Sequence, residues 1–156
     1  MTAHLRPLRD DEFEAWLASS KAGYAASIEH DGGIPRDVAE AKAEADFAQI
    51  VPDGGKVPEG HGVFVVDDDG EAVGRLWVAE READGERVLF VYEVAVDEAA
   101  RGRGLGRLAM QFAEEEARRR GLARVALNVF GGNDVARGLY RSLGYREVAV
   151  WMAKQL

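Results

Sequence analysis

Residues 88–121 constrain the fold more than any other stretch, because three structural signals follow one another there. An apolar run from Val88 to Val96, which only Glu93 interrupts, is typical of a buried strand. A glycine-rich turn comes next. From Leu105 onward, apolar residues then recur at helical spacing as far as Gly121, a natural residue to end a helix. The stretch therefore predicts a buried strand, a tight turn and an amphipathic helix.

The turn in this stretch has an unusual charge pattern. Positive side chains at a helix N-terminus are disfavoured by a few tenths to about 1 kcal/mol each, and no acid stands in the first turn of this helix. Free N–H groups, flexible glycines and nearby cations together suit a bound phosphate. An ordinary glycine turn with solvated arginines is the alternative. The residues concerned are Arg101, Gly102, Arg103, Gly104, Leu105, Gly106 and Arg107.

Composition narrows the class of protein. The length of 156 residues predicts a single domain spanning residues 1–156, and the net charge of −8 opposes binding to nucleic acid or anionic membranes. The absence of cysteine excludes disulfides and thiolate catalysis, and the three scattered histidines predict no metal site. No apolar run approaches the ~20 residues of a membrane span, and no signal peptide is evident. We expect a cytoplasmic protein.

The rest of the pattern predicts a mixed α/β fold with a mostly antiparallel sheet and helices on both faces. A strand, a helix and a further strand after residue 87 imply a right-handed parallel crossover. The loop at residues 52–62 is either a plain connector or a mobile edge of a substrate site. The predicted elements are strands at 4–9, 63–66, 73–80, 87–96, 124–129 and 145–152, and helices capped by Asp10, opened by Pro35, starting at Leu105 and capped by Asn133.

Two blocks of sequence resemble motifs of a known family. Residues 101–106, Arg-Gly-Arg-Gly-Leu-Gly, resemble the (Gln/Arg)-x-x-Gly-x-(Gly/Ala) motif of the GNAT superfamily of acyl-CoA-dependent N-acyltransferases. Residues 133–145 resemble the family's Asn-x-x-Ala-x-x-x-Tyr-x-x-x-Gly-(Phe/Tyr) signature. The first block is not a dinucleotide or P-loop motif, since no Gly-Lys-Ser/Thr follows. This disfavours another kind of nucleotide-binding protein.

The resemblance implies a fold and a cofactor site. It implies a GNAT-like sheet whose central strands splay apart, with acetyl-CoA as co-substrate. Its pantetheine arm is expected along the backbone of Val94, Ala95 and Val96, and an N–H group near Val94 would polarise the thioester carbonyl. The pyrophosphate is expected on the loop from Gly102 to Arg107. Asn133 would contact the pantetheine arm or only cap its helix.

Glu93 is the candidate general base. By strand alternation it shares a face with Leu89, Val91 and Ala95, and apolar surroundings would suit it to accepting a proton. The alternative is a structural ion pair with Arg75 on the neighbouring strand.

Tyr140 is the candidate general acid. The family motif implies a position beside the cofactor sulfur, where its hydroxyl can protonate the leaving thiolate. Because Tyr140 lies on the apolar face of its helix, a purely structural core tyrosine is the alternative.

The predicted function is transfer of an acetyl group from acetyl-CoA to a primary amine by direct attack in a ternary complex. The alternative is a noncatalytic acyl-CoA-binding or sensing module of the same fold. The amine is unidentified, and the protein is expected to be a monomer or a homodimer. A cationic amine steered by acids is one possibility and a solvated acidic surface is the other; the residues concerned are Tyr24, Glu29, Asp31, Glu40 and Glu44.

Overall fold

A computed structural model describes residues 2–52 and 55–156. The strands are β1 (His4–Pro7), β2 (His61–Asp68), β3 (Glu71–Ala83), β4 (Glu86–Val96) and β5 (Val125–Leu127). The helices are α1 (Phe13–His30), α2 (Arg36–Ile50), α3 (Leu105–Arg119) and α4 (Asp134–Ser142). The order agrees with the prediction up to α4. Part of the 52–62 loop lies outside the described residues.

The five strands form one sheet in the order β1-β2-β3-β4-β5. The first four are antiparallel, and only β4 and β5 are parallel, joined by the predicted crossover through α3. Pro7 ends β1 at the edge of the sheet, where the missing N–H of proline is tolerated. The mixed, mostly antiparallel fold class is therefore confirmed.

The predicted final strand is wrong. Residues 145–152 end in an apolar run from Val148 to Met152 that is typical of a strand, yet they pair with no strand in the described part of the chain. β5 is also shorter than predicted and ends at Leu127 rather than residue 129. A strand pattern sets which face is apolar, but a ladder forms only where a partner backbone is available.

Helices cover both faces of the sheet. On one face, α3 contributes Leu105, Ala109 and Met110 to a buried cluster with Leu76 and Leu89 of the sheet. The opposite face carries a separate cluster whose buried members are Phe13, Trp16, Phe47, Val63 and Trp77, drawn from α1, α2, β2 and β3. Both faces of the central strands are therefore packed against helices and closed to water. This packing gives the site a rigid support.

Most helix ends follow the predicted chemistry. Gly121 has φ +76 after α3, and the N–H of Leu122 bonds to the carbonyl of Ala117 at 2.8 Å. Asn133 caps α4 by accepting a hydrogen bond from the N–H of Ala136 at 3.1 Å. Asp10 does not cap α1. It lies instead in a 3₁₀ turn (Asp10–Glu12).

Ion pairs near the end of α3 centre on one glutamate. Glu116 is buried and binds Arg120 four residues later, with Nε and Oε1 2.8 Å apart, and it also binds Arg119. Glu114 and Glu115 form no ion pair in the part of the chain that the structure describes. The buried carboxylate of Glu116 binds two guanidinium groups because burial leaves it no water molecules as hydrogen-bond partners.

Candidate active site

The sheet opens between β4 and β5. Their parallel pairing stops at Val91 and Leu127, so within the described residues no strand lies on that side of residues 92–96 of β4. The other side of β4 stays paired with β3 as far as Val96. The predicted splay of the central strands is therefore present, and it leaves one edge of β4 available to a ligand.

A β-bulge at Tyr92 marks where the opening begins. β4 has one residue more than β3 here, because Trp77 faces Glu93 while Val78 faces Val91. The Tyr92 ring stacks on Trp77 and on His61, with centroids 4.8 and 5.7 Å apart. Aromatic packing thus holds the bulge in place, in keeping with the frequent use of bulges beside functional sites.

The bulge changes which way Glu93 points. Leu89 and Val91 pack into the cluster under α3, whereas Glu93 pairs across the sheet with Trp77 and contacts α1 on the opposite face. The prediction that Glu93 shares a face with Leu89 and Val91 is therefore wrong. Strict alternation fails because the extra residue shifts the pattern by one.

Backbone directions along the open half of β4 follow from two contacts. A Cβ added to Gly74 of β3 would lie 2.6 Å from the carbonyl oxygen of Ala95, so that carbonyl faces β3. The carbonyl of Val96 faces the other way, because Arg101 donates to it from Nε at 3.0 Å. By alternation, the N–H and C=O of Val94 also face the opening. Of the three predicted pantetheine residues, Val94 and Val96 offer backbone groups there, and Ala95 does not.

The glycine-rich loop presents a row of backbone donors. Gly102 and Gly104 have φ of +76 and +79, a region that favours glycine, and α3 then starts at Leu105. Among the described residues, no backbone carbonyl accepts from the N–H groups of residues 102–107. No acid lies in the first turn of α3. The loop is therefore a concave set of donors at the positive end of a helix.

The three loop arginines have different partners. Arg103 forms an ion pair with Asp68 of β2, with NH2 and Oδ2 2.6 Å apart, which lowers the pKa of that carboxyl. Arg101 donates to the Val96 carbonyl, and Arg107 donates to the Ser142 hydroxyl at 2.6 Å. Neither Arg101 nor Arg107 meets a carboxylate within the described ranges. Two full positive charges remain for an anion.

Glu93 is held by two donors. Arg75 donates from Nε to Oε1 at 2.9 Å, and the Ser20 hydroxyl of α1 donates to the same oxygen at 2.6 Å. Ser20 is only 1% exposed. The ion pair considered from sequence is thus present, and the carboxylate lies among polar partners rather than in apolar surroundings. Neither of these contacts uses Oε2.

Tyr140 lies on the face of the sheet opposite to Glu93. Its ring packs against the cluster under α3, and so does the side chain of Val94. Its hydroxyl makes no hydrogen bond within residues 2–52 and 55–156. Burial raises the pKa of the Tyr140 hydroxyl, which keeps it protonated at neutral pH.

Three polar residues in these contacts escape prediction from the sequence. Ser20 is one of three serines in α1, and Asp68 and Ser142 follow common turn and helix patterns. Each becomes notable only because a distant part of the chain brings an arginine or glutamate to it. The role of Asp68, for example, could be predicted only if the contact between β2 and the glycine-rich loop were already known.

The acidic residues considered for an amine acceptor are mostly paired locally. Glu44 binds Lys21 at 3.2 Å, Glu29 binds Arg36 at 3.2 Å, and Asp31 contacts His30. The Tyr24 hydroxyl donates to Asp46 at 2.8 Å. Local cations thus offset much of this negative charge, which favours the interpretation as a solvated acidic surface.

The described residues lack two further features. No helix there is both long and apolar enough to cross a membrane. No cluster of three or more His, Asp or Glu side chains there is arranged to hold a metal ion.

The fold and the site together define an acetyltransferase of the GNAT type. Residues 35–145 match the family model described as the acetyltransferase (GNAT) family, and the chain belongs to this family. YdgE of Bacillus subtilis (strain 168), an uncharacterized N-acetyltransferase, is 32% identical over 156 residues, which is 100% of this chain and 99% of YdgE.

Solved structures agree with this assignment. The crystal structure of YycN from Bacillus subtilis has a TM-score of 0.87 at 28% identity and covers 99% of each chain. A protein from Clostridium acetobutylicum described as a predicted acetyltransferase, solved with acetyl-CoA, has a TM-score of 0.64 at 12% identity, covering 98% of this chain and 96% of that one. At this identity the second structure shows a shared fold.

Proposed function

We propose that the protein is an N-acetyltransferase that moves an acetyl group from acetyl-CoA to a primary amine by direct attack in a ternary complex. The observation that carries the proposal is the opening beside β4, which has Tyr140 on one face of the sheet and Glu93 on the other. A thioester and an amine can therefore approach from opposite faces and meet at the open edge.

The residues around the opening fit acetyl-CoA. Val94 and Val96 offer backbone groups with which an extended pantetheine arm can pair as an added strand. The donors of residues 102–107, with Arg101 and Arg107, suit the pyrophosphate. Asn133 uses its side-chain oxygen to cap α4, which leaves its amide NH2 to donate to the arm.

The reaction needs one proton removed and one supplied. The amine nitrogen attacks the thioester carbon, the C–N bond forms and the C–S bond breaks. The N–H group of Val94 stabilises negative charge on the carbonyl oxygen. The departing thiolate takes the proton of the Tyr140 hydroxyl, and the amine gives its proton to Glu93, directly or through water. Tyr140 is then reprotonated from solvent.

Arg75 and Ser20 fix the carboxylate of Glu93. With both donors on Oε1, the proposed proton acceptor is Oε2. In Glu93→Gln we expect kcat to fall about 10²-fold with a changed pH profile. A purely structural Glu93 predicts a lower melting temperature and an unchanged pH profile.

Binding and turnover test the proposal separately. Calorimetric titration with acetyl-CoA and with free coenzyme A should give tight binding of both, and release of free thiol should then depend on added amines. Thiol release with an amine, together with an acetylated product by mass spectrometry, establishes the enzyme. Binding without turnover across a broad set of amines supports the noncatalytic acyl-CoA-binding module. No binding of either ligand overturns the cofactor site.

A further inference from the structure

The bulge at Tyr92 reverses the backbone directions in the second half of β4. The N–H of Leu89 bonds to the carbonyl of Arg124, so Leu89 faces the side of β5. In a regular strand every second residue after Leu89 would face the same way, as far as Ala95. The carbonyl of Ala95 faces β3 instead. Without the extra residue, the N–H of Val94 would therefore point to β3 and not into the opening.

Side-chain directions in β4 depend on the same bulge. The ring of Tyr92 packs against the aromatic cluster on the face of α1 and α2, and the next residue, Glu93, contacts Ser20 of α1 on that face. Successive side chains of a regular strand point to opposite faces, so two neighbours on one face require a bulge. Whatever holds the Tyr92 ring in place therefore also sets the positions of Glu93 and of the Val94 N–H.

His61 reaches Tyr92 from two strands away. It is the first residue of β2, and β3 lies between β2 and β4. The residue of β3 that pairs with His61 is Ala79, whose methyl group leaves space above β3 for larger rings. The rings of His61 and Tyr92 stack there with their planes 13° apart. Tyr92 is thus in stacked contact with both His61 and Trp77.

A hydrogen bond fixes the tautomer of His61. The indole Nε1–H of Trp77 donates to Nδ1 of His61 at 3.0 Å. An indole nitrogen can only donate, so Nδ1 carries no proton and the neutral ring has its proton on Nε2. Trp77 is only 2% exposed. Loss of the acceptor would therefore leave a buried N–H group without a partner, which is costly.

The surroundings of His61 also favour the neutral ring. Burial and the positive charge of Arg120 both lower the pKa of His61. Arg120 is fixed near His61, because it donates to the carbonyl of Gly60 at 3.0 Å and forms ion pairs with Glu116 and Glu80. A protonated ring would place an N–H on Nδ1, directly opposite the indole N–H. The neutral ring and the bond from Trp77 therefore stabilise each other.

We propose that His61 is a positioning residue for the acetyl transfer. Its neutral ring accepts the Trp77 indole N–H and stacks on Tyr92. These two contacts fix the bulge that turns Glu93 towards α1 and the N–H of Val94 into the opening. This role rests on the proposed function, since His61 acts only through groups to which that function gives the chemistry.

The first test compares turnover with stability in His61→Phe, which keeps a flat ring and removes the acceptor nitrogen. We expect kcat for thiol release to fall about tenfold, because small misplacements of reacting groups are costly. Affinity for free coenzyme A should stay nearly unchanged, since the glycine-rich loop lies elsewhere. His4→Phe is the matched control, because His4 is an exposed residue of the edge strand β1, and it should keep the original kcat.

Two outcomes of this test overturn the proposal. One is an unchanged kcat in folded His61→Phe, whatever its melting temperature, because that result leaves His61 a purely structural role. The other comes from His61→Asn, whose amide oxygen can replace Nδ1 as acceptor. This variant should lose less kcat than His61→Phe, and an equal loss with the indole bond retained would contradict a role for the hydrogen bond.

The second test uses ¹H–¹⁵N NMR of the free protein and needs no amine. In His61→Phe the indole N–H signal of Trp77 and the backbone amide signals of Tyr92 and Val94 should all shift, and in His4→Phe they should not. Unshifted Tyr92 and Val94 signals overturn the proposal. If His61→Phe does not fold, the same signals are measured in His61→Asn, which lacks the stacked ring. Absence of turnover in the unmodified chain with every amine would instead overturn the proposed function.

Discussion

The two halves of β4 make different use of the same strand. From Leu89 to Val91 the strand is paired on both sides, and Leu89 is fully buried. From Tyr92 to Val96 it keeps only β3, and these residues are half-buried. The bulge at Tyr92 separates the halves.

The difference shows how a rigid sheet could support the proposed site. Backbone groups are useful to a ligand only where no neighbouring strand uses them, yet their positions must be fixed. In β4 the paired half and the ladder to β3 fix the strand, while the open edge stays free. Substitutions in the first half should therefore change stability, and those around the second should change turnover.

The largest effect is expected in the paired half. Leu89→Ala removes a fully buried side chain from the cluster under α3 and should lower the free energy of unfolding by about 3 kcal/mol. Turnover per folded molecule should not change. Chemical denaturation measures the first and kinetics below the melting range the second. As a control, Val38→Ala should change stability by less than about 0.5 kcal/mol. A Leu89→Ala protein with unchanged stability but impaired turnover would contradict the view that the paired half of β4 serves stability alone.

Proline scanning of the open half tests the backbone directions. Val94→Pro removes an N–H that points into the opening and should lower kcat about 10²–10³-fold with little loss of stability. Ala95→Pro removes an N–H that faces β3, so it should lower the melting temperature by several degrees. The melting curves and thiol-release rates of the two variants distinguish these roles. Equal destabilisation by both substitutions would mean that the N–H of Val94 also takes part in the hydrogen bonds between β4 and β3.

Removing the Tyr140 hydroxyl tests whether this group takes part in turnover or only in packing. Tyr140→Phe should lower kcat about 10²-fold while leaving the KM for acetyl-CoA and the melting temperature nearly unchanged. Tyr145→Phe is the matched control, because the Tyr145 hydroxyl is buried without a partner and its loss should not affect turnover. Unchanged turnover in Tyr140→Phe would remove this residue from the acid role.

The smallest expected effect is on the stability of the protein at acid pH. It acts through Glu12 at the start of α1 and not through β4. Hydrogen bonds from Arg6 lower the pKa of Glu12 from 4.5 to about 2. A lowered carboxyl pKa adds stability that is complete above pH 4.5 and is lost as pH falls towards 2. Glu12→Gln should therefore be slightly less stable at neutral pH, and its melting temperature should fall less over that pH range. Thermal melts of both proteins from pH 2 to 7 measure this, and parallel curves would contradict it.

Local signals in the sequence predicted much of the fold. The glycine after α3, the Asn133 cap and the apolar stripe of α3 act within a few residues, so their structures follow from short-range chemistry. The two motifs also led correctly to the family. The cofactor and catalytic roles of individual residues stay predictions.

The errors have a common physical cause. The face of Glu93 depends on a bulge that is held by Trp77 and His61, which lie on other strands. The last strand fails because its pattern needs a partner edge that the sequence does not specify. Glu12, rather than Asp10, makes the contacts at the start of α1, because Arg6 and Arg9 reach it from β1 and the turn. In each case, residues that are distant in the sequence determine the local structure.

The ion pair between Arg103 and Asp68 gives the glycine-rich loop a counter-ion of its own. It ties the loop to the end of β2 and neutralises one of the three cations in the absence of any ligand. An anion that arrives at the loop can displace the carboxylate from Arg103, which is an exchange of partners rather than a new contact. The ionic-strength dependence of binding should therefore reflect the charges of Arg101 and Arg107, and replacing Asp68 by asparagine should make that dependence steeper.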